Sequence, residues 1–473
     1  MNSKKHHLER RRSHYDRLSE QRKVSKKLGA GYQKQLHRYY RLFVPPNQRV
    51  LEIGCGHGDL LNALAPAYGM GIDLSPAVIE TARTKYPDLN FIEGDAHALP
   101  LSEIFDVIIL SDLVNDLWDV QQVLTGLAQC CHPGTRLVLN FHNNLWSLPL
   151  SFARISGLAH PVPEQNWLTP EDIESLLNLG GFETIQRRPA ILLPFNIPLL
   201  APLCNRLFAH LPLFRAFDLT HFFVARLAPQ PRTNPPSVSV VIAARNEAGN
   251  IESLLQRIPN MGRFTEILFV EGGSTDGTCE AIEKILPRYP EKTTRLLRQT
   301  GKGKGDAVRL GFDAAKGDIL MILDADGTVA PEDLPRFYEA LVSGKGEFIN
   351  GVRLVYPLGD RSMRFFNMIG NKFFGLLFSW LLGQPIRDTL CGTKVLWKTD
   401  YEEIAKNRAY FGKVDPFGDF DLLFGAARLN LKIQELPIRY GARNYGNTNI
   451  SRWRHGTILL RMAIKASSKL KFI

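Results

Sequence analysis

Cysteine is scarce in this chain: six residues in 473, with no CxxC pair among them. That excludes a thiolate zinc ribbon and a dithiol redox site, and it predicts free, mostly buried thiols in a reducing cytoplasm. An apolar leader is missing too, since the chain opens MNSKKHHLERRR. Acid is absent from Leu436 onward, where eight Lys/Arg stand without a single Asp or Glu. Residues 1–41 are nearly as one-sided, with thirteen Lys/Arg against three acids. The whole chain carries +11, so the body between the two basic ends is acidic. This distribution predicts either peripheral contact with an anionic membrane or two solubilising tails. Nucleic acid is not expected as a partner, because no RNA-binding aromatic signature or zinc-finger spacing is present. Long hydrophobic runs are lacking as well. Ile191–Phe214 is broken by four prolines, and in Arg364–Pro385 the uncharged run from Phe373 to Ile386 is 14 residues, too short to span a bilayer. Both stretches are expected to cover a site, lie on a membrane, or pack as core.

What is present is organised around one break. APQPRTNPPS, Ala228–Ser237, contains four prolines and no apolar period, so it reads as an extended linker. The expected organisation is a basic N-terminal arm at 1–41, a first domain at 42–227, the linker at 228–237, a second domain at 238–450, and a basic amphipathic segment at 451–473. In each domain short apolar runs alternate with helical stretches, which predicts α/β architecture with mainly parallel sheets.

In the first domain, RVLEIGCGHGDLL (Arg49–Leu61) reads as a strand, a glycine-rich turn and a helix start. Gly54, Gly56 and Gly58 let the backbone approach a ligand beside a helix N-terminus. GIDLS ends a second strand at Asp73, where an acid can accept hydrogen bonds from both hydroxyls of a ribose. Asp95, in FIEGDAHALP, stands at a third strand end, within reach of an adenine amino group. This ordered series resembles the class I S-adenosylmethionine-dependent methyltransferases over roughly Arg49–Arg226. The resemblance implies that Glu52, Gly54, Gly56, Asp73 and Asp95 hold S-adenosylmethionine. One departure is Asn115-Asp116, where many relatives have Glu-His. His142, after the fifth strand, is a candidate general base or a plain loop residue.

In the second domain, SVSVVIAARNEAGNI and EILFVEGGSTDGT are strands that stop at acids and small polar turns. TGKGKGDAVRLGFDAAKGD is a basic glycine loop before a helix, and ILMILDADGT places Asp324 and Asp326 at another strand end. Carboxylates on such edges surround one crevice. Glu247 and Glu271 are expected at a base and ribose, Lys302 and Lys304 at a diphosphate, and Asp324 and Asp326 at Mg²⁺ or Mn²⁺.

These motifs resemble the family 2 glycosyltransferases of GT-A fold, most closely the dolichyl- and polyprenyl-phosphate branch. Asn246-Glu247, the turn Gly273–Thr278, the loop Gly303–Ala307 and Asp324-Ala325-Asp326 carry the match. So do Gly351 and Arg353, the segment Arg387–Leu396, and Gly418–Arg443. The resemblance implies a nucleotide-sugar donor, a polyprenyl-phosphate or glycan acceptor, and inversion at the sugar. It places Arg353 and Arg443 at phosphates, and Asp388 or Asp419 at the proton of a hydroxyl acceptor. Departures are Glu271-Gly272 for an Asp pair, Thr328 for Gln, and Gly446-Asn447-Thr448-Asn449 for a segment ending in Lys. Two Rossmann-like α/β domains are therefore expected, a methyltransferase fold and then a GT-A fold. The expected activity is bifunctional, in a cell-surface glycan pathway at the inner face of the cell membrane. The alternative is a glycosyltransferase whose first domain binds S-adenosylmethionine, or acts as a scaffold, without catalysis.

Overall fold

A computed structural model of the protein describes residues 2–21, 30–156, 162–195, 197–211, 213–230, 234–356, 365–410, 418–441, 443, 445 and 452–472. The chain divides into two compact units: Met1–Ala228 with Lys471–Ile473, and Pro229–Leu470.

Unit 1 is built on seven strands: β1 (Arg49–Ile53), β2 (Tyr68–Asp73), β3 (Asn90–Glu93), β4 (Phe105–Leu110), β5 (Cys131–His142), β6 (Phe182–Ala190) and β7 (Thr220–Leu227). Their spatial order is β3-β2-β1-β4-β5-β7-β6. The first five are parallel, while β7 runs antiparallel to both β5 and β6. The order reverses between β1 and β4, and such a switch point opens a crevice at the C-terminal strand ends. Local chemistry starts the flanking helices. Ser75 and Asp119 cap two of them, and Thr169 forms a reciprocal capping box with Asp172 ahead of Pro170–Leu179.

The first 41 residues are not a separate arm. Helix α1 (Asn2–Gln21) and helix α2 (Ala30–Phe43) belong to unit 1. Leu36, Tyr39, Tyr40 and Phe43 lie on one face of α2, and the last three surround Phe222 of β7 with ring centroids 5.2–5.5 Å apart. Burying that aromatic face anchors a helix that a count of charges alone reads as solvated.

Unit 2 repeats the plan with β8 (Val238–Ala244), β9 (Thr265–Glu271), β10 (Thr293–Arg298), β11 (Ile319–Ile322), β12 (Phe348–Val352), β13 (Lys394–Trp397) and β14 (Ile433–Pro437). The order is β10-β9-β8-β11-β13-β12-β14, again reversing beside the first strand. Strand β13 is antiparallel to β11 and β12, and the other pairs are parallel. Val, Ile and Leu fill these central strands because both sheet faces are covered by helices.

The helices Phe365–Leu382 and Arg452–Leu470 pack on each other in unit 2. Phe378, Leu381 and Leu382 are buried from the first, while Ile369, Phe373 and Leu376 are exposed. The second buries Leu459, Met462, Ala463, Ala466 and Leu470 and turns Leu460, Arg461, Ile464 and Lys465 outward. The segment expected at 451–473 is thus core on one face and amphipathic surface on the other. Among the described residues no helix is long and apolar enough to cross a membrane.

Candidate active sites

In unit 1 the turn after β1 holds Gly54, Gly56 and Gly58 at φ of 73°, 54° and 77°, a left-handed run closed to most side chains. A Cβ at Gly56 would meet nothing within 4 Å, so the turn faces open space. Asp73 ties the turn to β2: one carboxylate oxygen accepts Gly56 N–H and the other Ser75 N–H, each at 3.0 Å. Burial nevertheless raises Asp73 above the usual carboxylate range. Glu52 lies below the turn, only 2% exposed, with Oε2 lacking a partner, and burial pushes its carboxyl well up. Asp95 uses Oδ1 to accept both His97 N–H (3.0 Å) and His97 Nδ1–H (2.7 Å). His97 Nε2 accepts Asp119 N–H at 3.1 Å, which fixes that tautomer and leaves Asp95 Oδ2 for a ligand. Open space at the glycine turn, an orphaned carboxyl oxygen beneath it and two acids at neighbouring strand ends fit S-adenosylmethionine.

Helix α1 lies across these strand ends. Arg12 pairs with Glu93 at 2.8 Å, Asp16 accepts Ser75 Oγ–H, and Tyr15 O–H donates to Asp116. Arg11 sits 2.5 Å from Asp116 with both side chains nearly buried. Asp116 therefore pins the helix that covers the crevice. Its neighbour Asn115 accepts His142 N–H at 2.9 Å and donates to Asn166 O at 2.7 Å. The Asn115-Asp116 departure is accordingly structural. Sequence reasoning missed this latch, because Arg11 and Asp116 are over a hundred residues apart and nothing local links them.

In unit 2 the expected nucleotide motifs first hold each other. Asn246, at φ 58°, follows β8. Its backbone N–H donates to Ser274 Oγ (3.0 Å), Glu247 N–H to Thr278 Oγ1 (2.9 Å) and Ala248 N–H to Asp276 Oδ2 (3.2 Å). The Gly273–Thr278 turn is spelled with small hydroxyl and acid residues because they satisfy the loop after β8. Glu271 accepts Ser274 N–H at 2.6 Å; burial raises its carboxyl, but the turn's hydrogen bonds outweigh this and hold it low.

Lys304 begins the helix Lys304–Ala314 and reaches Asp324 Oδ1 at 2.5 Å. Burial works against the charges of both. Even so, Asp324 and Asp419 hold Lys304 protonated, and Lys304 holds Asp324 below its ordinary range. Asp326 accepts Thr328 N–H at 3.1 Å and Oγ1–H at 2.7 Å. Burial first, and then Asp324, raise the Asp326 carboxyl. Two carboxylates that crowd each other at a strand end fit a divalent cation, which would relieve that repulsion. Among the described residues no third His, Cys, Asp or Glu joins them, so the remaining ligands would be water or substrate oxygens. Gly392 is obligatory beside this pair, since a Cβ there would lie 2.1 Å from Asp324 Oδ2.

Arg353 and Asp388, expected at a phosphate and a proton, hold each other instead. Nε and Nη2 of Arg353 meet the two Asp388 oxygens at 2.7 and 2.9 Å, and Arg353 N–H and Leu390 N–H add 3.1 Å bonds. Asp388 is fully buried, and these donors outweigh burial and depress its carboxyl. A carboxylate so committed is a poor proton acceptor, so Asp388 positions Arg353. Asp419 starts the helix Asp419–Arg428, 3.1 Å from the buried Lys394 ammonium. A Cβ at Gly418 would sit 2.7 Å from Gly305 Cα, so two helix N-termini converge beside Lys304, an anion-binding arrangement. Arg443 pairs with Glu247. Lys302 is exposed. Gly446–Asn449 lies outside the described residues.

A glycine turn with acids at successive strand ends, and paired carboxylates facing two helix N-termini, define a chain of two group-transfer enzymes. Residues 14–187 match the family model "Methyltransferase domain" and residues 239–404 match "Glycosyl transferase family 2". The chain thus carries a methyltransferase domain followed by a family 2 glycosyltransferase domain. It is 27% identical to glycosyltransferase AglJ of Haloferax volcanii over 48% of this chain and 70% of that one. It is 30% identical to the dolichol-phosphate mannosyltransferase of Pyrococcus furiosus over 45% of this chain, spanning 59% of that relative's length. Among solved structures it is similar to an S-adenosylmethionine-dependent methyltransferase from Mesorhizobium loti, at 20% identity, over 41% of this chain and 96% of that chain, with a TM-score of 0.33.

Proposed function

We propose that unit 2 transfers a sugar, with inversion, from a nucleotide sugar to a polyprenyl phosphate or lipid-linked glycan, and that unit 1 methylates a component of the same cell-surface glycan pathway. The observation that carries the first half is the convergence of Lys304, Asp324, Asp326 and two helix N-termini on one strand edge. Such a site suits a nucleoside diphosphate and little else. Mg²⁺ or Mn²⁺ held by Asp324 and Asp326 would neutralise charge on the departing diphosphate. The acceptor oxygen attacks the anomeric carbon from the face opposite the diphosphate. A lipid phosphate is already anionic and needs no base, whereas a hydroxyl would lose its proton to Asp419. The dolichol-phosphate relative supports the lipid-phosphate reading.

Membrane contact is part of this reading. Ile369, Phe373 and Leu376 form an exposed apolar stripe, and Leu460 and Ile464 stand outward beside Arg461 and Lys465. An apolar face edged by cations suits an anionic leaflet.

The test incubates the purified full chain with radiolabelled nucleotide sugars, Mg²⁺ or Mn²⁺, and short polyprenyl phosphates. Label entering the organic phase is expected. Label confined to water-soluble glycan would sink the lipid acceptor.

A further inference from the structure

Unit 1 contains a polar cluster that cofactor binding does not use, at the C-terminal ends of β4 and β5. We propose that His142, oriented by Asp112 and Tyr32, is the general base that takes the proton from a neutral hydroxyl on the methyl acceptor. The inference rests on the reading that unit 1 binds a methyl donor.

Asp112, two residues beyond β4, is a non-glycine residue held at φ 53°. Such strain persists only where surrounding structure enforces it, and here Asn140 does so. Asp112 N–H donates to Asn140 Oδ1 at 3.1 Å, and Asn140 Nδ2 donates back to Asp112 Oδ1. Asn140 is fully buried, and is itself fixed by Tyr40 O–H at 2.7 Å and Thr220 Oγ1 at 3.1 Å. Tyr32 O–H, on α2, donates to Asp112 Oδ1 at 2.8 Å. Burial and the adjacent Asp112 raise Tyr32 well above its ordinary value, so it remains a phenol.

His142 closes β5 with its backbone N–H bound to Asn115. Its Nε2 lies 3.4 Å from the Tyr32 oxygen and 3.8 Å from Asp112 Oδ1. The Tyr32 proton is already committed to Asp112, so both atoms facing Nε2 are acceptors. The complementary tautomer carries its proton on Nε2. That leaves a bare lone pair on Nδ1, which is buried without a hydrogen-bond partner among the described residues. A carboxylate that holds one imidazole nitrogen protonated, with the other free, is the arrangement of an acid-oriented base.

The location fits the role. Leu113, next to Asp112, lies against the glycine turn: a Cβ at Gly54 would be 3.0 Å from its Cδ1. Ligand chemistry at the turn is therefore one residue from the cluster. When bound, S-adenosylmethionine supplies an electrophilic methyl group. The acceptor O–H bond breaks with its proton going to Nδ1. The acceptor oxygen gives the freed pair to the methyl carbon, and the carbon–sulfur pair leaves with sulfur. A thiolate or phosphate would need no such base. A sugar-like hydroxyl does.

Two measurements on the full chain test this. In nitrogen-15 histidine NMR, the resonances lost in His142→Gln identify the residue. Proton on Nε2 and a bare Nδ1 are expected, and a protonated Nδ1 in the free protein overturns the proposal. S-adenosylhomocysteine binding is then measured for wild type, His142→Gln and Asp112→Asn, beside methyl transfer to a panel of octyl glycosides. Dissociation constants within about two-fold, with transfer lowered about 10²-fold or more in His142→Gln, are expected. Unchanged transfer with intact binding overturns the base. Transfer by wild type to none of the glycosides overturns the hydroxyl class. Failure of wild type to bind S-adenosylhomocysteine sinks instead the reading on which the proposal rests.

Discussion

The two units share a strand plan and differ in how their crevices are dressed. In unit 2 the site is assembled from charge against charge: Lys304 with Asp324, Arg353 with Asp388, Lys394 with Asp419, Arg443 with Glu247. In unit 1 the turn is held by backbone N–H groups on Asp73, and the ion pairs Arg11–Asp116 and Arg12–Glu93 fasten a covering helix instead. One fold plan thus serves a dianionic ligand through fixed charge, and a ligand of small net charge through dipoles and a cover. Function follows the dressing rather than the sheet.

The comparison breaks first at the paired carboxylates. Asp326→Ala is expected to lower sugar transfer by about 10³-fold, the scale of a lost metal contribution of several kcal/mol. S-Adenosylhomocysteine binding should not change, as calorimetry on the same sample would report. Next in size is the Arg353–Asp388 pair. Arg353→Ala strands a buried carboxylate, so denaturant melts should show unit 2 destabilised by about 3–5 kcal/mol. Removing both partners should destabilise it less than the sum of the single changes.

Unit 1 should answer differently. Asp116→Asn weakens the latch on α1, and stopped-flow measurements should find S-adenosylhomocysteine leaving about 10-fold faster, with sugar transfer unaffected. The smallest effect sharpens the contrast through pH. Asp218 is fully buried, neither carboxyl oxygen has a hydrogen-bond partner among the described residues, and burial pushes it up to about 8. Its ordinary value is 3.8. Between these values the folded state keeps a proton that the unfolded state has released. Its contribution is full below about pH 4 and is lost as pH rises toward 8, by about 1 kcal/mol per pH unit. Asp218→Asn should flatten that slope in unit 1 melts between pH 5 and 8 and leave unit 2 alone.

The sequence made the strand edges legible, because a glycine or an acid closing an apolar run is a local signal. Gly54, Asp73, Asp324 and Asp326 all stand where such runs end. The partnerships were hidden. Arg353 and Asp388 carry opposite charge 35 positions apart, and no periodicity says that they meet. The basic N-terminus misled for a related reason: charge was counted while the face of Leu36, Tyr39, Tyr40 and Phe43 went unread. His142 stood out only as a residue type, since its meaning depends on Tyr32 and Asp112, brought from α2 and β4.

The paired state of the donor crevice turns ligand entry into an exchange of partners. Lys304 leaves Asp324 only for something that replaces it, and Asp324 is then free for a cation arriving with the diphosphate. A ligand with one phosphate too few would release a carboxylate without compensating the lysine, or the reverse. Selectivity for a diphosphate is thereby written into the empty crevice. Competition by a nucleoside monophosphate should consequently be weaker than one missing contact implies, and Lys304→Gln should narrow that gap.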